Sequence, residues 1–139
     1  MSNKPDKKEE LQHKIMQFQL LQQNLQAIDQ RRRIVEEHID EFYRTRLAIK
    51  DLENTKINSA LIPIGAGAFV SGTLSDSDTV VISIGGGVAI RKKRKDAEEF
   101  IEERVKEIEA VLIEVSKQWQ SVYSQLVLLE SEIGKLQGE

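Results

Sequence analysis

"IPIGAGAFVSG", residues 62–72, is echoed by "ISIGGGVAIRK", residues 82–92. Both stretches read Ile-x-Ile-Gly-x-Gly and continue with apolar residues. Short runs of Ile, Val and Phe around a glycine group read as two strands and a tight turn, because glycine takes the positive φ that such turns need. "ALIPI" and "AFVSGTL" flank Gly65-Ala66-Gly67, and "TVVISI" and "VAIRKK" flank Gly85-Gly86-Gly87. The polar "SDSD", Ser75 to Asp78, separates the two units as a turn. The echo therefore predicts two β-hairpins in tandem. Pro63 lacks a donor and belongs on a strand with an open edge.

Outward from this insert the chain changes character. Six of the eight glycines lie between Gly65 and Gly87, and the only prolines are Pro5 and Pro63. Two long stretches are left almost free of helix breakers. In the second, Ile101, Val105, Ile108, Leu112, Val115, Trp119, Val122, Leu126, Leu129, Ile133 and Leu136 alternate steps of four and three. Such spacing is a heptad seam. The first follows the same spacing through Leu11, Lys14, Phe18, Leu21, Leu25, Ile28, Arg32, Val35, Ile39, Phe42, Arg46 and Ile49. Lys14, Arg32 and Arg46 interrupt its apolar character, as polar register-setting residues do.

Two seams of matched length around a compact insert predict an antiparallel coiled coil. The boundaries read from the sequence are a flexible tail at 1–8, a helix at 9–55, tandem hairpins at 57–92 and a helix at 93–137. Each helix is expected to run roughly 65–70 Å. The fold class is α+β. Two hairpins bury little alone, and Ile62, Ile64, Phe69, Val70, Leu74, Val80, Val81, Ile82, Ile84, Val88 and Ile90 outnumber what one helical pair can cover. Open edges invite pairing with other chains, so hairpins from several subunits are expected to join into closed sheets. All of these residues except Val80 are assigned to subunit assembly.

Composition narrows the chemistry. Among 139 residues, 31% are charged and 5% aromatic, the net charge is −3 and cysteine is absent. Disulfides, thiolate metal sites and a cysteine nucleophile are excluded. No apolar run reaches a bilayer's span, so the expectation is a cytoplasmic protein that does not insert into membranes. No Gly-Lys-Ser/Thr occurs, and Val70 stands where a dinucleotide fingerprint needs its third glycine. His13 and His38, 25 residues apart on one helix, lie roughly 37 Å apart by helical rise and cannot share a metal. The carboxylates recur along helix faces, where solvation explains them. The basic run Arg91 to Lys95 lies in an otherwise acidic chain without interleaved aromatics, and it reads as solvated surface rather than a nucleic-acid site. No enzyme activity, cofactor or metal is expected.

A long helix, "LIPIGAGAFVSGTL", a polar turn, "VVISIGGGVAIRKK" and a second long helix together resemble the alpha-type subunit of archaeal prefoldin. Leu61 to Gly67 and Ile82 to Ile90 carry the likeness most closely, and two hairpins fit the alpha rather than the beta type. One departure is that the chain stops at Glu139, with the seam and without a long tail. The resemblance implies a hexamer of two alpha and four beta subunits, with a double β-barrel platform and six coiled-coil tentacles. It also implies an ATP-independent holdase that captures unfolded polypeptides at the tips and delivers them to a group II chaperonin. Ile15, Met16, Leu20, Val127 and Leu128 lie off the seam near the free ends and are the candidate client contacts. The alternative is an oligomeric coiled-coil scaffold protein that holds no client.

Overall fold

The computed structural model describes residues 6–54 and 59–138. Its elements are helix α1 (Lys7–Asp51), a short 3-10 turn (Leu52–Asn54), strands β1 (Ala60–Gly65), β2 (Ala68–Gly72), β3 (Thr79–Gly85) and β4 (Val88–Lys93), and helix α2 (Arg94–Gly138). Each helix has 45 residues. The first begins at Lys7, so Lys7 and Lys8 are helical rather than part of a tail, while residues 1–5 and 55–58 lie outside the described chain. Glu9 and Glu10 near the start of α1 and Lys50 near its end complement the helix dipole.

The chain forms two compact units. A helical unit contains the chain up to His38 together with Ile108 onward, and a hairpin unit covers Ile39–Glu107. In the helical unit Lys14 meets Glu132, while Arg32, farther along α1, lies over Trp119, farther back along α2. The two segments therefore run antiparallel. Val115 and Leu129 are buried between them. In the hairpin unit, Ile49, Ala97, Ile101 and Val105 form the core, with Phe42, Phe100, Val80 and Ile82 packed against it.

Every seam position read from the sequence is buried or half-buried, twelve on α1 and eleven on α2. The three cations in the α1 seam each find an anion. Lys14 Nζ lies 2.9 Å from Glu132 and Arg46 is 2.6 Å from Glu102, both across the helix pair. These cross-helix pairs match the antiparallel register and disfavour a one-turn slip, which would separate the charges. Arg32 instead bonds Asp29 on its own helix at 2.6 Å, and its guanidinium sits 5.7 Å from the Trp119 ring centroid. Trp119 stacks on Tyr123 at 4.9 Å.

Each hairpin is a separate two-stranded antiparallel sheet, β1 with β2 and β3 with β4. Pro63 pairs with Phe69 and Gly65 with Ala68; Ser83 pairs with Ala89 and Gly85 with Val88. One extra residue therefore sits in β1 and in β3 just before the turn, the register shift of a β-bulge. Three consecutive positive φ angles follow in both: 121°, 50° and 77° at residues 65–67, and 99°, 62° and 76° at residues 85–87. The sequence echo is a repeated turn geometry. Ala66 is the one non-glycine residue in this conformation among the described residues.

Arg32 Nε is buried without a hydrogen-bond partner, while Asp29 keeps a second cation, Arg33, at 3.3 Å. Arg32→Met removes the unmatched donor, leaves Asp29 paired and gives the seam an apolar residue. It is expected to raise stability by about 1 kcal/mol, read as a higher midpoint of helix melting by circular dichroism. A lower midpoint would show that the contact with Trp119 outweighs the unmatched nitrogen.

Candidate functional site: the open hairpins and the helical groove

The two hairpins have the same turn but different surroundings. Alternation along β3 and β4 places Val80, Ile82, Ile90 and Lys92 on one face. That face meets the helices: Val80 and Ile82 pack on the core, and Lys92 Nζ lies 5.2 Å from the Phe100 ring centroid. Arg104 also lies 5.2 Å from that ring. The opposite face carries Thr79, Val81, Ser83, Ala89 and Arg91, and Val81 is 58% exposed. The second hairpin is thus covered on one side by its own helices.

The first hairpin is covered on neither side. Ile62 and Val70 pair on one face, and Pro63 and Phe69 pair on the other beside Leu61. Every residue from 61 to 71 is exposed, including Ile62 at 51% and Phe69 at 57%. Gly72 leaves room for Ile62, since a Cβ there would stand 2.7 Å from the Ile62 Cδ1 atom. Of the ten residues assigned to assembly, Ile62, Ile64, Phe69, Val70, Leu74, Val81, Ile84 and Val88 are exposed. Ile82 and Ile90 are half-buried, and Ile82 is engaged with the helices of its own chain. Leu74 lies in the connection between hairpins rather than on a strand.

The connection is held by polar contacts. Asp76 accepts hydrogen bonds from the Asp78 amide (2.8 Å) and the Thr79 hydroxyl (2.6 Å). Arg91 donates to the Thr79 hydroxyl at 3.4 Å. The Arg94 amide donates to the Asp78 carbonyl at 2.8 Å, and its guanidinium donates to the Ser77 carbonyl at 3.2 Å. Arg94 also faces Glu53 and Asp78 within 4 Å. The basic run at 91–95 is therefore not one patch, because Lys92 and Arg94 are turned to intrachain partners.

In the helical unit, two of the five candidate client residues line a surface groove. Leu20 and Leu128, each 63% exposed, line the same groove of about 450 Å³ with Gln17, Leu21, Asn24, Gln125, Leu129 and Glu132. Met16 and Val127 are exposed but do not line it, and Ile15 is half-buried. Leu21 and Leu129 were missed as groove residues because a heptad reading treats seam positions as interior. Here both line a surface groove, Leu21 half-buried and Leu129 buried. Among the described residues no cluster of three or more metal-ligating side chains occurs, and no helix is long and apolar enough to cross a membrane.

Two long helices with a pair of small antiparallel hairpins between them in sequence define an α+β coiled-coil class of fold. The comparisons agree. The prefoldin subunit family matches residues 21–139. Prefoldin subunit alpha of Methanococcoides burtonii is 29% identical over 120 residues, covering 85% of this chain and 86% of that protein. Prefoldin subunit alpha 1 of Thermococcus kodakarensis is 33% identical over 108 residues, covering 77% of this chain and 72% of that protein. The structure of a filamentous PFD from Methanocaldococcus jannaschii superposes with a TM-score of 0.67 at 19% identity, over 87% of this chain and 98% of that one. The chain belongs to the prefoldin family. Its likeness is to the archaeal alpha subunits, and its coarse role is that of a prefoldin chaperone subunit.

The Thr79 hydroxyl and then the Asp78 amide hold the Asp76 carboxyl below its ordinary value. A carboxyl lowered in the folded state stabilises above its ordinary range, and that contribution is lost as pH falls through the lowered value. Protection of the Asp78 amide against hydrogen exchange is expected to fall on acidification through that window. Asp76→Ala is expected to remove this protection at neutral pH. An unchanged protection factor in the variant would show that the bond does not organise the turn.

Proposed function

We propose that the chain is an alpha-type subunit of a cytoplasmic prefoldin hetero-oligomer, two alpha with four beta subunits, that holds unfolded polypeptides without ATP. The observation that carries this reading is the first hairpin, apolar on both faces and uncovered by its own chain. Hairpins of neighbouring subunits would complete it as strands of a β-barrel platform, satisfying both its open edges and its apolar faces. Ile62, Ile64, Phe69, Val70, Leu74, Val81, Ile84 and Val88 would make the subunit contacts, with Ile82 and Ile90 supporting them from the half-buried side.

The apolar surface at the chain-terminal end of the helical unit would hold clients, with Ile15, Met16, Leu20, Val127 and Leu128 as the contact set. Methionine suits such a surface because it adapts to many shapes. Several arms acting together give firm holding from weak individual contacts. Weak contacts also allow release without nucleotide hydrolysis, as delivery to a group II chaperonin would require. The activity is binding, and no reaction step is assigned to any residue.

Replacing Phe69 and Ile84 by aspartate is expected to release monomers while helix content by circular dichroism stays near wild type. Retention of the wild-type mass in light scattering would refute assembly through the hairpins. Removing Met1–Leu21 together with Leu128–Glu139 is expected to preserve the hetero-oligomer's assembly while weakening its suppression of aggregation by a denatured client. Full protection by an assembled complex truncated this way on all subunits would move client holding away from the helix ends. A complex that assembles but never suppresses aggregation, even untruncated, would favour a scaffold role.

A further inference from the structure

The groove described above does not end at Asn24. A second depression of about 450 Å³ shares that residue and continues between the helices to Arg31 and Gln118, floored by Ile28 and Val122. Both stretches lie within the helical unit. Together they form a path that is apolar around Leu20 and Leu128, passes the amide side chains of Asn24 and Gln125, and turns apolar again at Ile28 and Val122 before Arg31.

Charge along this path is one-sided. Among the described residues, Arg31 and Glu132 are the only charged ones lining it. Glu132 is neutralised by Lys14 at 2.9 Å. Arg31 is exposed and makes no hydrogen bond or ion pair with any described residue, whereas Arg32 and Arg33 beside it share Asp29. One uncompensated guanidinium therefore stands at one end of an otherwise neutral groove. A guanidinium presents a planar fork of donors that matches a carboxylate.

We propose that Arg31 is a specificity-determining residue that favours unfolded segments in which an acidic residue follows or precedes an apolar one at a set distance. This inference rests on the capture reading given above. Leu20 and Arg31 are eleven residues apart on α1, about 16 Å by helical rise. An extended peptide covers that length in about five residues at ~3.3 Å each. The preferred segment thus places Leu, Ile or Phe in the apolar stretch and Asp or Glu four to six residues away.

The test uses the assembled hetero-oligomer and fluorescein-labelled twelve-residue peptides, read by anisotropy. One peptide carries a Leu-Leu pair with Glu five residues away. A second carries Lys there, and a third places the Glu next to the Leu pair. The first is expected to bind about three- to fivefold tighter than either control at low salt, as one exposed charge pair allows. The preference is expected to shrink toward unity at high salt. Arg31→Gln is expected to abolish the preference by bringing the Glu peptide to the affinity of the third peptide, with the mass of the complex unchanged.

Equal binding of the three peptides by an oligomer that still protects a denatured client would overturn the role of Arg31 and leave capture standing. Failure of the wild-type oligomer to bind any peptide or to protect the client would defeat the capture reading itself, and this proposal with it. An Arg31→Gln complex of altered mass would place Arg31 at a subunit contact and likewise overturn it.

Discussion

Ile62 and Phe69 stand on opposite faces of a ribbon only two strands wide. A two-stranded ribbon with apolar residues on both faces is unstable in water without cover on each side. The second hairpin meets half of this requirement within the chain, because Val80 and Ile82 lie on the core built by Ile49, Ala97, Ile101 and Val105. The first meets none of it. The second packs the insert on its own helices, and the first stands exposed without cover from its own chain. Arg94 strengthens the packing of the second, since its amide and side chain both reach the connection before β3.

The helices were legible because their signal is repeated. One substitution in a seam of eleven apolar positions changes little, so the period survives noise and gives element type and facing residues, while the matched lengths of the two seams give their antiparallel direction. The hairpins were legible through their glycines, whose positive φ angles are a backbone requirement rather than a preference. Which face of each hairpin meets the helices was not legible. Alternation assigns Ile82 and Val81 to opposite faces but does not say which face is inward. In the fold Ile82 packs on its own helices, while Val81 stands exposed on the other face.

The basic run shows the same limit in another form. "RKKRK" reads as one feature in the sequence. In the fold, Lys92 lies over an aromatic ring, Arg94 grips a turn and Arg91 reaches a hydroxyl. Composition records how much charge is present, whereas strand alternation and the start of α2 decide where each charge points. The groove was hidden for a related reason. Its walls use Leu21 and Leu129 from the seam and amide residues from the flanks, and no linear pattern links those positions across two helices.

The stacked pair Trp119 and Tyr123 has an optical consequence. Trp119 is the chain's single tryptophan and belongs to the helical unit, under the Arg32 guanidinium. Tryptophan emission, excited selectively over tyrosine, therefore reports on one of its two units. Loss of the hairpin unit's packing leaves that emission largely untouched, while separation of the helices around Arg32 changes it directly. Tryptophan emission and far-ultraviolet dichroism would follow different parts of the same molecule, and a gap between their transitions would measure how independently the two units come apart.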